Sequence, residues 1–244
     1  MSFDYNSIPP GYYFGAMLKG KSPQRFWHQK KFSEVINSIP ENVDVVLDIG
    51  CAAGSLTYLA ASLRPNLHIT GVDVSSAQID FANSMVVPAA KNATFLSISP
   101  ESLPFSDNSF EAVTCVELIE HLNEFENARL MAEVFRVLRP GGSWIVTTPN
   151  YHSLWPVLEL ALNIWSPVKY NEQHLTRFHK KSLRIHLENA GWELQSIGTF
   201  FVFSPFLAWI SKRFAEKIHS LEKILMLPGS LLLAKARKPF SEAF

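Results

Sequence analysis

Residues 115–122 read Cys-Val-Glu-Leu-Ile-Glu-His-Leu and follow directly on the apolar run Ala112-Val113-Thr114. A carboxylate is costly to bury unless it is paired or bound to a cation, so a strand ending in Glu117, Glu120 and His121 needs a partner for them. If the chain turns helically after Glu117, the two carboxylates stand at i and i+3 on one side, and His121 can join them. Two oxygens and an imidazole suit a hard or borderline divalent cation: magnesium, manganese or zinc. A further ligand is expected from the stretch 171–179, as His174 or His179. The alternative is that Glu120 pairs locally and His121 is a satisfied polar residue opening a helix. Without a metal, His121 or His174 can act as general base.

These residues can meet only if the chain builds a scaffold around them. The run 43–50 (VDVVLDIG) is continuously apolar up to Asp48, as a parallel strand covered on both faces must be. Further strands are expected at 67–74, 93–99, 111–118 and 143–150, separated by helices at 55–64, 75–86 and 123–138. Strands alternating with helices in this way predict βαβ units. A helix at 180–191, stopped by Gly191, precedes two final strands at 192–201 and 229–238. The expected fold is α/β, a Rossmann-like doubly wound seven-stranded sheet with a helical lid. Residues 1–21 are read as irregular, and Ser22-Pro23 as the start of a helix that ends near Pro40. The expected organisation is an N-terminal aromatic segment and helix (1–40), a ligand-binding core (41–150), and lid segments, a helix and the last two strands of the same domain (151–244).

The first strand ends in the glycine turn 48–54 (DIGCAAG), and Asp73 follows Gly54 by 19 residues, at the end of the second strand. Glycines there let backbone approach a ligand closely, and a carboxylate at the second strand accepts hydrogen bonds from ribose hydroxyls. A tight turn that binds nothing is the plain alternative. A nicotinamide site fits less well, because its fingerprint is G-x-G-x-x-G and this loop is G-x-x-x-G.

The glycine loop, Asp73, the stretch 101–122 (ESLPFSDNSFEAVTCVELIEHL) and the stretch 137–150 (VLRPGGSWIVTTPN) together resemble the class I S-adenosylmethionine-dependent methyltransferases. The resemblance covers residues 44–150 closely and the tail to residue 237 in layout. It implies a donor pocket formed by Asp48, Gly50, Cys51, Ala52 and Gly54, with Asp73 and Val74 at the ribose and Glu117 near the methyl group. Two positions depart from the pattern. Ala52 stands where the middle glycine is usual, and Ser99-Pro100 stand where related sequences often carry an aspartate near the adenine. The ExxEH spacing at 117–121 is similar to ubiquinone-biosynthesis O-methyltransferases and to small-RNA 2′-O-methyltransferases. In both groups the acid-acid-histidine cluster is associated with a divalent cation.

Composition narrows the acceptor. Lysine plus arginine equals aspartate plus glutamate at 22 each, with no basic stripe, so a nucleic-acid acceptor is disfavoured and a small-molecule or lipid-like hydroxyl is expected. Cys51 and Cys115 form no CxxC pair, which suits a reducing cytoplasm. No basic-then-apolar leader and no spanning segment is read. Between the last two strands, Phe206, Ile210, Phe214, Ile218, Leu221 and Leu225 follow helical spacing. This stripe is expected to pack on the core as a cap over the substrate pocket, or else to touch a membrane surface peripherally. A non-catalytic donor-binding protein is the remaining reading, permitted by Ala52, Ser99 and Pro100.

Overall fold

The computed structural model describes residues 8–20, 22–99, 102–165 and 173–240. A seven-stranded sheet runs in the order β3-β2-β1-β4-β5-β7-β6. Its strands are β1 (Val45–Ile49), β2 (His68–Asp73), β3 (Ala93–Ser97), β4 (Phe110–Val116), β5 (Leu138–Pro149), β6 (Glu193–Phe200) and β7 (Leu231–Arg237). The first five pair in parallel, while β7 lies antiparallel between β5 and β6. This is the Rossmann-like sheet that the alternation predicts, and it sets the carboxyl ends of β1, β2 and β4 along one edge.

The register explains the unbroken apolar run in β1. Val46 faces one core with Val35, Leu56 and Ile69, and Leu47 and Ile49 face the other with Val113, Leu130 and Trp144. Alternate residues of a strand point to opposite faces, so covering both faces demands apolar side chains at every position. Helices α3 (Ser55–Leu63), α4 (Ser76–Met85) and α5 (Glu124–Val137) connect the parallel strands. A capping box at Asn123 and Glu126 starts α5, as the reciprocal Asn-x-x-Glu pattern allows.

The fold departs from the sequence reading in three places. Residues Tyr12–Lys19 form a helix, α1, ahead of α2 (Ser22–Ser38). Its Phe14, Ala16 and Met17 are buried, and the Gly11 N–H donates to Gln78 Oε1 at 3.1 Å. Packing here overrides a Gly- and Tyr-rich composition. Strand β5 begins at Leu138, opposite Phe110, and the Arg139–Gly142 turn is absorbed as an irregularity before Ala112 pairs with Ser143.

The third departure is the stripe at 206–225. Past α6 (Trp155–Trp165) and α7 (Lys180–Asn189), the chain makes a short helix α8 (Ser204–Leu207) and then α9 (Lys212–Ile224). The buried face of α9 is Ala215, His219 and Glu222. Phe214, Leu221 and Leu225 are 46%, 47% and 57% exposed, so the stripe does not pack on the core. Polar contacts dock the helix instead. His219 Nε2 donates to Glu34 Oε1 at 3.0 Å, and Lys223 pairs with the same carboxylate. Burial alone would raise Glu34, but these two partners bring its pKa down to about 2. The Glu222 carboxylate accepts the N–H groups of Phe203 and Ser204 at 2.6 and 2.9 Å and the Ser204 hydroxyl at 2.7 Å. No helix of the described residues is long and apolar enough to cross a membrane.

Stability measurements separate the two faces of α9. Glu222→Ala strands buried backbone donors and lowers the unfolding free energy by about 2–3 kcal/mol, whereas Leu225→Ser stays within about 0.5 kcal/mol of the parent. Urea denaturation showing the reverse order contradicts this account of the helix.

Candidate functional site

Asp48 ends the central strand and is 2% exposed. Thr114 Oγ1 donates to its Oδ1 at 2.8 Å and Thr57 Oγ1 to its Oδ2 at 3.3 Å. Burial nevertheless dominates, and the carboxyl is pushed up to about 7. In the turn beyond it, Gly50 and Gly54 adopt φ of 71° and 75°, and Ala52 adopts 45°. Alanine in this region is strained by about 1 kcal/mol, yet the loop closes around it. The N–H groups of Gly50 and Cys51 both donate to the Val72 carbonyl, at 2.9 and 3.1 Å. Asp73 ties the loop to β2: its Oδ2 accepts from Ala52 N and its Oδ1 from Ser75 N, each at 2.9 Å. An ionised carboxylate has about four acceptor positions, so both oxygens keep capacity for a ligand hydroxyl.

At the end of β4, Glu117 N still pairs with the Thr147 carbonyl at 3.0 Å, but Glu117 then turns to φ 51°. Its carboxylate forms an ion pair with Lys31 of α2, a lysine only 4% exposed. A 3₁₀ turn, Ile119–His121, follows. Asn127 Nδ2 braces it by donating to the carbonyls of Ile119 and Leu122 at 2.9 and 3.0 Å. The Glu120 carbonyl accepts the N–H groups of Leu175 and Thr176 at 2.8 and 3.0 Å, which brings His174 alongside.

The result is a compact group in which ligand atoms of Glu120, His121 and His174 lie within 4.8 Å of one another. Glu120 is fully buried, and neither carboxylate oxygen has a well-formed hydrogen bond. The Thr148 hydroxyl is near enough to oppose its shift, but burial, then repulsion from Glu117, holds the carboxyl well above its ordinary range. The imidazoles are oriented from behind. His121 Nδ1 lies 3.1 Å from the Gln173 carbonyl. His174 Nδ1 lies 2.7 Å from Glu159 Oε1, and the Tyr151 hydroxyl donates to that oxygen at 3.0 Å. Both carbonyl and carboxylate can only accept, so Nδ1 carries the proton and Nε2 the lone pair in each ring. Burial pushes both imidazoles down to about 4, which leaves them neutral at pH 7. A buried acid with no well-formed hydrogen bond, beside two neutral, pre-oriented histidines, fits a divalent cation.

One cavity of about 560 Å³ joins these two halves. Asp48, Gly50, Cys51, Ala52, Asp73, Glu117, Glu120, His121 and His174 all line it. The sequence-expected ligand set is only partly assembled, because Glu117 is held on Lys31 rather than within the Glu120–His121–His174 group. His179, the alternative ligand, caps α7 by accepting from Ser182 N at 3.3 Å and stacks on His152. Gly54 does not line the cavity, since its Cα faces the Phe95 ring. Val74, 41% exposed, and Ser99, also exposed, stand outside the lining, and Pro100 lies outside the described residues. Lys31, Glu159 and Tyr151 are site residues that the sequence reading missed. Glu159 carried a signal, as the single acid in the apolar stretch 151–170. Lys31 carried none, being one of several charges on α2.

Residues 46–142 match the family model described as a methyltransferase domain. The chain is 31% identical over 137 residues to the O-methyltransferase rstn1 of Aspergillus nomiae, covering 55% of this chain and 53% of that protein. It is 33% identical over 106 residues to the ubiquinone biosynthesis O-methyltransferase of Alkalilimnicola ehrlichii, covering 43% and 41%. The chain spans about half the length of the curated relatives it matches. Among solved structures, the PH0226 protein of Pyrococcus horikoshii superposes with a TM-score of 0.66 at 17% identity, over 97% of this chain and 99% of that one. The cyclase SpnF superposes at 0.64 and 20% identity, over 89% and 83%. Residues 46–142 thus resemble a methyltransferase domain, and the fold around them is one that solved structures share. Because a cyclase shares the fold, the chemistry has to be argued from the site.

The electrostatics of Glu120 yield a pH-dependent expectation for the metal-free protein. A carboxyl raised on folding adds stability that is fully present below its unfolded value and is lost as pH rises through the folded one. Glu120→Gln is therefore more stable than the parent at pH 8, by about 2 kcal/mol or more, with the gap closing toward pH 4. Chemical denaturation in chelator at several pH values checks it, and a gap that widens on acidification contradicts the burial of an unpaired carboxyl.

Proposed function

We propose that the protein is an S-adenosylmethionine-dependent methyltransferase acting on a hydroxyl of a hydrophobic, lipid-like small molecule. The observation that carries this reading is the joining of the glycine-loop carboxylates and the Glu120–His121–His174 group in a single cavity. The donor supplies a methyl group on a positively charged sulfur. Asp73 accepts hydrogen bonds from its ribose, and the backbone at Gly50, Cys51 and Ala52 lies against its methionine portion beside Asp48. Glu117, held by Lys31, stands next to the methyl group.

A divalent cation on Glu120, His121 and His174, with Glu117 in reach, would lower the pKa of an acceptor hydroxyl and orient it. The hydroxyl oxygen attacks the methyl carbon and the carbon–sulfur bonding pair returns to sulfur; with Nε2 of His121 and His174 unligated one of them takes the hydroxyl proton, whereas with a cation held there the proton would leave to water. Glu159 and Tyr151 keep His174 in the tautomer this requires. Trp27, Trp155, Leu158 and Phe206 give the cavity an apolar wall that takes a hydrophobic acceptor and excludes water. The similarity to O-methyltransferases, one of them of ubiquinone biosynthesis, supports that acceptor class. On this reading residues 1–40, 41–150 and 151–244 act as one domain, with the N-terminal helices and α6 to α9 as the lid. The two buried, unbridged cysteines suit a cytoplasmic setting.

Transfer of a radiolabelled methyl group into host-cell extract, with and without chelator, tests the proposal. Label in the organic-soluble fraction that falls on chelation is the expected result. Label in small RNA overturns the acceptor class, and donor binding with no label in any fraction favours a non-catalytic protein. A second expectation concerns the donor alone. Asp73→Ala weakens binding about 100-fold by titration calorimetry, the loss of two charge-assisted hydrogen bonds. Unchanged affinity in the folded variant contradicts the ribose assignment.

A further inference from the structure

Among the described residues the apolar stripe of α9 is left about half exposed, although the helix itself is docked by His219 and Glu222. Its neighbours share this exposure. Trp209 and Ile210, between α8 and α9, are 68% and 77% exposed, and Ile224 at the far end is 76% exposed. On α6, Val157 and Leu160 are 66% and 63% exposed. Both α6 and α8 also supply the cavity wall, through Trp155, Leu158, Pro205 and Phe206, so the apolar surface borders the mouth of the site. Exposed apolar surface on this scale marks an interaction site. The charges beside it are Lys212, Arg213 and Lys217 against Glu216, all exposed. Lys223 is paired with Glu34, and Glu222 is buried in its capping role.

From this arrangement we infer that the α8–α9 surface, with α6 beside it, is a docking face for an anionic lipid bilayer that opens the cavity mouth toward the acyl region. The inference rests on the hydrophobic-acceptor reading above. Large aromatic and aliphatic side chains in a band, with basic residues at its edge, match an acyl boundary below anionic headgroups. Lysine and arginine stems extend along apolar surface while their charges reach the headgroup level. The inward polar anchors hold the helix rigid, so apolar side chains can insert without remodelling the fold.

Co-sedimentation with vesicles tests this, using phosphatidylcholine alone and phosphatidylcholine with 30% phosphatidylserine as an order-of-magnitude anionic fraction. The expected result is binding to the anionic vesicles and at least tenfold weaker binding to the neutral ones. Trp209→Ser/Ile210→Ser and, separately, Lys212→Glu/Arg213→Glu lower the anionic partition at least tenfold. None of these residues lines the cavity, so S-adenosylhomocysteine binding and the circular dichroism melt stay as in the parent. Absence of anionic-vesicle binding, or binding that both variants retain, overturns the inference. So does a dimer in sedimentation velocity that the Trp209→Ser/Ile210→Ser change abolishes, since a second copy would then be the occupant. The assay needs no turnover, so failure of methyl transfer and failure of docking are read separately.

Discussion

Beyond the end of β4 a carboxyl, Glu120, is buried with no well-formed hydrogen bond to either oxygen, and the surrounding chain is arranged around that one costly group. Leaving such an oxygen unpaired costs free energy that nothing in the apolar core offsets. The main chain of the same residue makes ordinary bonds, to Leu175 and Thr176, and these deliver His174. Tyr151 and Glu159 then fix His174, as the Gln173 carbonyl fixes His121. Each layer of this support lies on a different element, so the group exists only when the sheet, the 3₁₀ turn and α6 are all in place.

Charge balance in the cavity follows the same logic. Glu117 and Glu120 repel each other, and Lys31 of α2 answers one of them from a position only 4% exposed. Lys31 also favours ionisation of Glu120, but burial and Glu117 outweigh it, and a cation at Glu120 would reverse that balance. The donor side is built differently. Burial raises the carboxyls of both Asp48 and Asp73, but Asp48 accepts from two hydroxyls and Asp73 from two backbone N–H groups. The two carboxylates at adjacent strand ends differ in exposure, Asp48 being buried and Asp73 only partly so.

Much of this was legible in the sequence because it depends on local pattern. The apolar run 45–49, the glycine turn and Asp73 announce a parallel sheet with its ligand edge, since strand period and turn chemistry are written in adjacent residues. Glu120 and His121 are legible for the same reason. Lys31 was not, because its partner stands 86 residues away; Glu159 stood out as a lone acid, but no spacing rule links it to His174, 15 residues on. The α9 stripe shows a different limit. Helical periodicity reveals that Phe214, Leu221 and Leu225 share a face, but it cannot say whether that face meets core or solvent. Here the polar residues His219 and Glu222 turned inward because Glu34 and the α8 N–H groups offered them partners.

The central claim is that Glu120, His121 and His174 form a cation site within the donor cavity, and cobalt(II) titration followed by visible absorption addresses it most directly. One equivalent of cobalt should bind saturably, with ligand-field bands that shift when S-adenosylhomocysteine is added and disappear in Glu120→Gln and His174→Ala. Absence of saturable bands in the folded parent protein, or bands unchanged in both variants, would contradict the account.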